Sequence, residues 1–179
     1  MRRHTFTGTY TATTSGPYTI EFHNWRNAAA SNDIKNYIDD IVLEPAVADF
    51  SIETDNISVS TGGSVDMALL AGAAHGGEYY FVLGGLGTYP GFTLDGVRVH
   101  LNNDALFAYA QSHPNSGAFQ NSFGVLNGSG QATCSFNTGG PTNPAFLGLS
   151  FNFAYVLLTS PGTRPITYGS LPVKVNFIP

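Results

Sequence analysis

The stretch Phe123-Gly124-Val125-Leu126-Asn127-Gly128-Ser129-Gly130-Gln131-Ala132-Thr133-Cys134-Ser135-Phe136 holds the pattern on which the fold turns. A short apolar run meets four turn-forming residues and is followed by a second run. In that second run Ala132, Cys134 and Phe136 alternate with Thr133 and Ser135. Alternation with a period of two puts one set of side chains on each face of a pleated strand. Asn and Gly supply the backbone conformations a reversal needs.

The same grammar extends outward through most of the chain. Strands are expected at Phe50–Ser60, Ser64–Ala71, Glu78–Leu83, Val97–Leu101, Phe123–Leu126, Gln131–Phe136, Phe146–Leu158 and Pro172–Phe177. Turn clusters bound them, among them Thr61-Gly62-Gly63, Gly76-Gly77, Thr138-Gly139-Gly140-Pro141 and Ser160-Pro161-Gly162. Short strands at this spacing predict an all-β fold, an antiparallel β-sandwich of jelly-roll or immunoglobulin-like type. One short helix is expected at Asp104–Ser112. Asn103 or Asp104 would cap it, Leu106, Phe107 and Ala110 would form its apolar face, and Pro114 would stop it.

Toward the N-terminus the pattern is a smaller meander. Phe6, Gly8, Tyr10 and Ala12 alternate with threonines, and Tyr18, Ile20 and Phe22 alternate with polar residues after Ser15-Gly16-Pro17. A third strand is expected at Tyr37–Glu44, ended by Pro45. The reading is therefore a three-stranded meander over 1–45 and a β-sandwich domain over 46–179. A three-stranded block this small is poorly stable alone.

Composition narrows the partners. The 179 residues carry 7 Lys and Arg against 12 Asp and Glu, a net charge of -5. Seven scattered cations cannot build a patch that grips a phosphate backbone, so nucleic acid is not an expected partner. No stretch approaches the roughly 20 apolar residues of a membrane-spanning helix. Met1-Arg2-Arg3-His4-Thr5-Phe6 lacks the apolar run of a signal peptide. The low charge and abundant Gly, Thr, Ser and Asn nonetheless suit an extracellular, secreted chain.

Three groups of residues invite a chemical reading. In Asn36-Tyr37-Ile38-Asp39-Asp40-Ile41-Val42-Leu43-Glu44, alternation places at least one carboxylate against apolar neighbours. A buried carboxylate needs a partner. Arg26, backbone N–H groups or a structural calcium ion would serve, and Asn32, Asp33 and Asn36 add oxygens suited to calcium. Asp39 and Asp40 are the candidate metal ligands, against the plainer reading of an Asp bonded to a loop. Next, His23-Asn24-Trp25-Arg26-Asn27 sets the only tryptophan among planar polar groups. A sugar site uses that pairing, one flat face for the ring and planar donors for the hydroxyls; the competing role is a hydrophobic plug. Third, Gly84–Gly91 is a flexible loop able to present Tyr89 outward. Asn24, Trp25, Arg26 and Tyr89 are thus the candidate glycan contacts.

The segments Tyr37–Leu43 and Gly16–Phe22 resemble the closing strands of galactose-binding-like jelly rolls, including carbohydrate-binding modules attached to bacterial glycoside hydrolases. The resemblance covers residues 5–45. It implies carbohydrate binding and a structural calcium touched by Asp39 or Asp40. From Ala46 onward the chain resembles Gly- and Thr-rich β-sandwich repeats of large secreted bacterial proteins.

Catalysis has little support. The histidines, His4, His23, His75, His100 and His113, show no zinc spacing, and Cys134 is the sole cysteine, expected to be buried and inert. Gly148-Leu149-Ser150-Phe151-Asn152 lacks the second glycine of a nucleophile elbow. The expectation is a non-catalytic extracellular module that binds a glycan or cell-surface polymer. Two alternatives stand beside it: a structural subunit or adhesin, with homo-oligomers joined through open strand edges, and a small hydrolase of unfamiliar type.

Overall fold

A computed structural model describes residues 49–160 and 163–179, which belong to one compact unit, Ala48–Pro179. The strands expected before Pro45 lie outside the described residues. The elements are β1 (Phe50–Ile52), β2 (Asn56–Ser58), β3 (Ser64–Leu70), β4 (Tyr79–Gly85), β5 (Phe92–Leu94), β6 (Val97–Val99), α1 (Ala105–Ser112), β7 (Phe119–Gln120), β8 (Phe123–Val125), β9 (Gln131–Asn137), β10 (Ser150–Ser160), β11 (Thr163–Gly169) and β12 (Val173–Ile178).

These strands form a β-sandwich with one short helix. The front sheet has the order β1-β3-β9-β7, and the back sheet β2-β12-β10-β4-β8, with β11 also beside β10. Pairing is antiparallel except between β2 and β12. Alternation decides what faces inward. Val65, Met67 and Leu69 of β3 are buried beside Cys134 and Phe136 of β9, whereas Asp66 and Thr133 point to solvent. Aromatic rings lock the layers together: Phe136 lies 5.0 Å from Phe153, and Phe50 lies 5.4 Å from Tyr155, centre to centre. Each ring pair across the sheets adds about 0.5–1.5 kcal/mol beyond its area burial.

β10 is buried on both faces. Phe153, Tyr155 and Leu157 face the sandwich core, while Ala154, Val156 and Leu158 point to the other side and are buried as well. The second face is covered by the β5–β6 hairpin and Leu101: an added Cβ on Gly169 would meet the Arg98 carbonyl, and one on Gly85 would meet Leu101. Asp95 pins the hairpin in place, accepting a hydrogen bond from Ile166 N–H at 3.0 Å. The helix is capped as expected, with Asp104 Oδ1 accepting from Leu106 and Phe107 N–H at 3.0 and 3.2 Å.

Three expectations need correction. Phe50–Ser60 is two strands rather than one. β1 belongs to the front sheet and β2 to the back, because the chain crosses between layers at Glu53–Asp55. The strand expected from Phe146 begins at Ser150; Pro144–Phe146 is a turn of 3-10 helix capped by Asn143, and Gly148 follows with φ +79°. β5, β7 and β11 were not anticipated.

Candidate functional site

Two places on the sandwich stand out. The first is the loop between β4 and β5. Asn102 reaches across it with both atoms of its amide: Nδ2 donates to the Tyr89 carbonyl at 2.8 Å, and Oδ1 accepts from Gly91 N–H at 3.0 Å. The guanidinium of Arg98 donates to the Pro90 carbonyl, and Asp104 Oδ2 accepts from Leu86 N–H at 2.8 Å. Asn102 N–H donates to the Gly87 carbonyl at 2.8 Å. Both limbs of the loop are thereby tied to the segment after β6. The side chain it presents, Tyr89, is 86% exposed. The loop expected to be flexible is braced, and its ring stands outward as expected.

The second place is the solvent face of the front sheet. Strand register lines up Ser51, Ala68 and Thr133 as neighbours on β1, β3 and β9, and Asp66, Ser135 and Gln120 on β3, β9 and β7. Small side chains in the first row leave an open trough of about 470 Å³, lined also by Glu53 and Asn121. A second depression of about 300 Å³ continues from it past Ala68 and Thr133 to Gln131 and Asn127. Among the described residues, Glu53, Asp66, Ser51, Thr133 and Ser135 have no side-chain hydrogen bond or ion pair. Beneath the trough floor lies Cys134, whose thiol is pushed up to about 12 by burial first and by Asp66 second. That thiol is buried, in keeping with an inert cysteine.

A third group of polar side chains sits where β1 enters the fold. Tyr168 Oη donates to Asp49, and Tyr155 Oη, fully buried, faces both. Burial raises both tyrosines above their ordinary value; Asp49 adds to the shift in each. Nearby, Glu78 lies between His75 at 3.2 Å and the Thr167 hydroxyl at 3.4 Å. Hydrolytic triads place histidine between acid and hydroxyl, so that it can take the hydroxyl proton. Here the carboxylate occupies the middle, and the order cannot activate Thr167.

Of the residues singled out from sequence, Asn24, Trp25, Arg26, Asp39 and Asp40 lie outside the described residues, and Tyr89 alone is placed. Among the described residues no group of three or more His, Cys, Asp or Glu converges on a metal position. No helix among them is long and apolar enough to cross a membrane. The trough was missed because its floor is assembled from three strands distant in sequence. The alternation at Asp66–Ala68 and Thr133–Ser135 marks outward residues, but only the register makes them neighbours. No family model, curated protein or solved structure matches the chain.

Proposed function

We propose that the chain is a non-catalytic extracellular module that binds carbohydrate. The observation that carries this reading is the exposed ring of Tyr89 on a loop held by Asn102, Arg98 and Asp104. A flat aromatic face stacks on the C–H surface of a sugar, and a ring carried on a braced backbone spares the cost of ordering the loop on contact. Calcium bound at Asp39 or Asp40, and glycan contacts from Asn24, Trp25 and Arg26, belong to the same proposal. Retention on a panel of insoluble and soluble polysaccharides tests it. Binding that falls at least tenfold in Tyr89→Ala, with melting temperature unchanged, supports the reading. Absence of retention on every polymer overturns it.

A second reading, a structural subunit of an extracellular assembly, draws on a different feature. Leu147, Leu149 and Ile178 are exposed on two neighbouring backbone stretches, joined by bonds from Gly148 N–H to the Phe177 carbonyl and from Phe177 N–H to the Leu149 carbonyl, at 2.9 Å each. Apolar side chains grouped on a surface mark contact sites. Sedimentation across a concentration series decides it: a species that stays monomeric at high concentration excludes this role.

A further inference from the structure

The turn that joins β8 to β9 carries the chain's only Asn-Gly pair, Asn127-Gly128. Asn127, Gly128 and Ser129 are all exposed. The Asn127 side chain folds forward over the turn, where its Oδ1 accepts from Ser129 N–H at 2.9 Å and from Gln131 N–H at 3.0 Å. An asparagine bonded to the backbone two residues on holds its amide carbon, Cγ, beside the intervening peptide. Two N–H donors aimed at one oxygen also steady the negative charge it gains when that carbon is attacked. The intervening nitrogen, Gly128 N, makes no hydrogen bond among the described residues, and neither does Asn127 Nδ2. Nothing lies within 4 Å of the place a Gly128 Cβ would occupy, so this peptide has room to rotate. Nucleophile, electrophile and leaving group thus stand together in water.

We propose that Asn127 is a self-modifying site, at which the folded chain converts its own β8–β9 turn to aspartyl and isoaspartyl forms. Gly128 N gives its proton to solvent base and attacks Cγ. The new N–C bond closes a five-membered succinimide, the Cγ–Nδ2 bond breaks, and Nδ2 leaves as ammonia. Water then opens the ring. Cleavage between Cγ and Gly128 N leaves an aspartate at position 127. Cleavage at the original peptide carbonyl leaves an isoaspartate, whose chain runs through Cβ and Cγ and whose α-carboxylate hangs free. The nearest competitors are held. Both polar atoms of the Asn115 amide are bonded to Phe123, and Asp95, in the chain's only Asp-Gly pair, accepts from Ile166 N–H at 3.0 Å.

The two products differ in fit. Aspartate keeps an acceptor for Ser129 and Gln131 N–H. Isoaspartate adds one atom to a backbone that has no slack. The Asn127 carbonyl, which accepts from Gly130 N–H at 2.8 Å, is lost from the chain. The turn also lies against the β3–β4 connection: a Cβ on Gly76 would meet the Gly128 carbonyl oxygen at 2.7 Å, and Ala71 N–H donates to the Gly130 carbonyl at 2.9 Å. The longer turn pushes on that connection and loosens the Ala71 bond.

The test follows the full chain in buffers of rising pH, folded and in denaturant, by peptide mapping with fragmentation that tells aspartate from isoaspartate. In the folded wild type, conversion at Asn127 is expected to climb with pH, to outpace Asn115 and Asn121 by at least about tenfold, and to stay within about tenfold of the denatured chain. Gly128→Ala, its fold checked by circular dichroism, slows conversion at least about tenfold by restricting the attacking peptide. The isoaspartyl fraction, purified by chromatography, exchanges the Ala71 amide at least about tenfold faster than the parent. Conversion more than about tenfold slower in the folded chain than in denaturant, an equal rate at Asn115 or Asn121, Gly128→Ala as fast as wild type, or an isoaspartyl fraction with Ala71 as protected as before would each overturn the inference. None of these readouts involves a glycan, so the result is independent of the carbohydrate reading.

Discussion

The side-chain amide of Asn115 closes on both polar backbone atoms of Phe123. Its Oδ1 accepts from Phe123 N–H at 2.9 Å, and its Nδ2 donates to the Phe123 carbonyl at 2.8 Å. Phe123 starts β8, the last strand of the back sheet, whose outer edge has no strand beside it among the described residues. One amide thus takes the place of a neighbouring strand where a second chain could otherwise add.

Removing that amide is expected to destabilise the fold and to open the edge. Asn115 has φ +55°, a region in which Asn and Gly are at ease and Ala is not. Asn115→Gly therefore isolates the amide, at a cost of about 1–3 kcal/mol for two lost bonds. Chemical denaturation measures the cost. Sedimentation of Asn115→Gly should show association rising with concentration, and a variant as monomeric as the wild type would refute the edge-blocking role.

Asn102 performs the same act around Pro90, bonding residues on either side of it. Asn102→Ala should leave the melting temperature within a few degrees and release the loop. The amide of Gly91, protected in the wild type, should exchange with solvent at least tenfold faster. Unchanged exchange at Gly91 would show that Arg98 and Asp104 suffice.

Cys134 should resist modification until the sandwich opens. With its thiol raised from 9.0 to about 12, the reactive thiolate at pH 8 is on the order of one part in ten thousand. Labelling by a thiol reagent should therefore proceed at the rate of unfolding, independent of reagent concentration once the reagent is in excess. The raised value also sets a sign. The folded state holds the proton more tightly than the unfolded chain, so this contribution is complete below pH 9 and fades as pH climbs toward 12. Cys134→Ala should flatten that part of the stability profile.

The tyrosine pair should extend the alkaline decline. Tyr155 and Tyr168 are both raised above 10.0, by burial first and then by Asp49. Their neutral forms stabilise the fold below pH 10, and that support is lost above it. Tyr168→Phe removes the bond to Asp49, costing about 1–2 kcal/mol near neutrality, and should make the slope above pH 10 shallower. Denaturant midpoints between pH 7 and 11 check both signs.

Gly130 should tolerate no side chain. Its φ is +72°, and an added Cβ would lie 1.8 Å from the Gly72 carbonyl oxygen. The contact arises because Ala71 N–H donates to the Gly130 carbonyl at 2.9 Å, drawing the two backbones together. Gly130→Ala is expected to lower stability by at least about 2 kcal/mol or to prevent folding, whereas Gly128→Ala, with open space around it, should cost under about 1 kcal/mol.

How far the sequence reaches is shown by particular elements. Ser64–Ala71 and Gln131–Phe136 were legible because one face is wet and the other dry, which forces strict alternation. Asp104 was legible because an N-cap acts on its own next three residues. β11 was hidden: it carries Pro165 and follows a turn cluster, its hairpin with β10 has register shifts, and Asp95 bonds it from far along the chain. β5 was missed although Leu94-Asp95-Gly96-Val97 is a two-residue hairpin signature, with both central residues at positive φ. The split at Glu53–Asp55 was hidden because a strand that changes layers keeps its local composition. Tyr89 could be picked out as a ring in a glycine-rich loop; its brace could not, since Asn102 resembles any other loop asparagine until the backbone folds round it.

The sealing of Ala154, Val156 and Leu158 beneath the β5–β6 hairpin gives the molecule a back and a front. Substitutions at Ala154, Val156 and Leu158 therefore act through stability. On the front, Asp66 and Thr133 point to solvent, so changing them leaves the buried layer untouched. Such a division lets one architecture be re-surfaced for new ligands while its interior stays fixed.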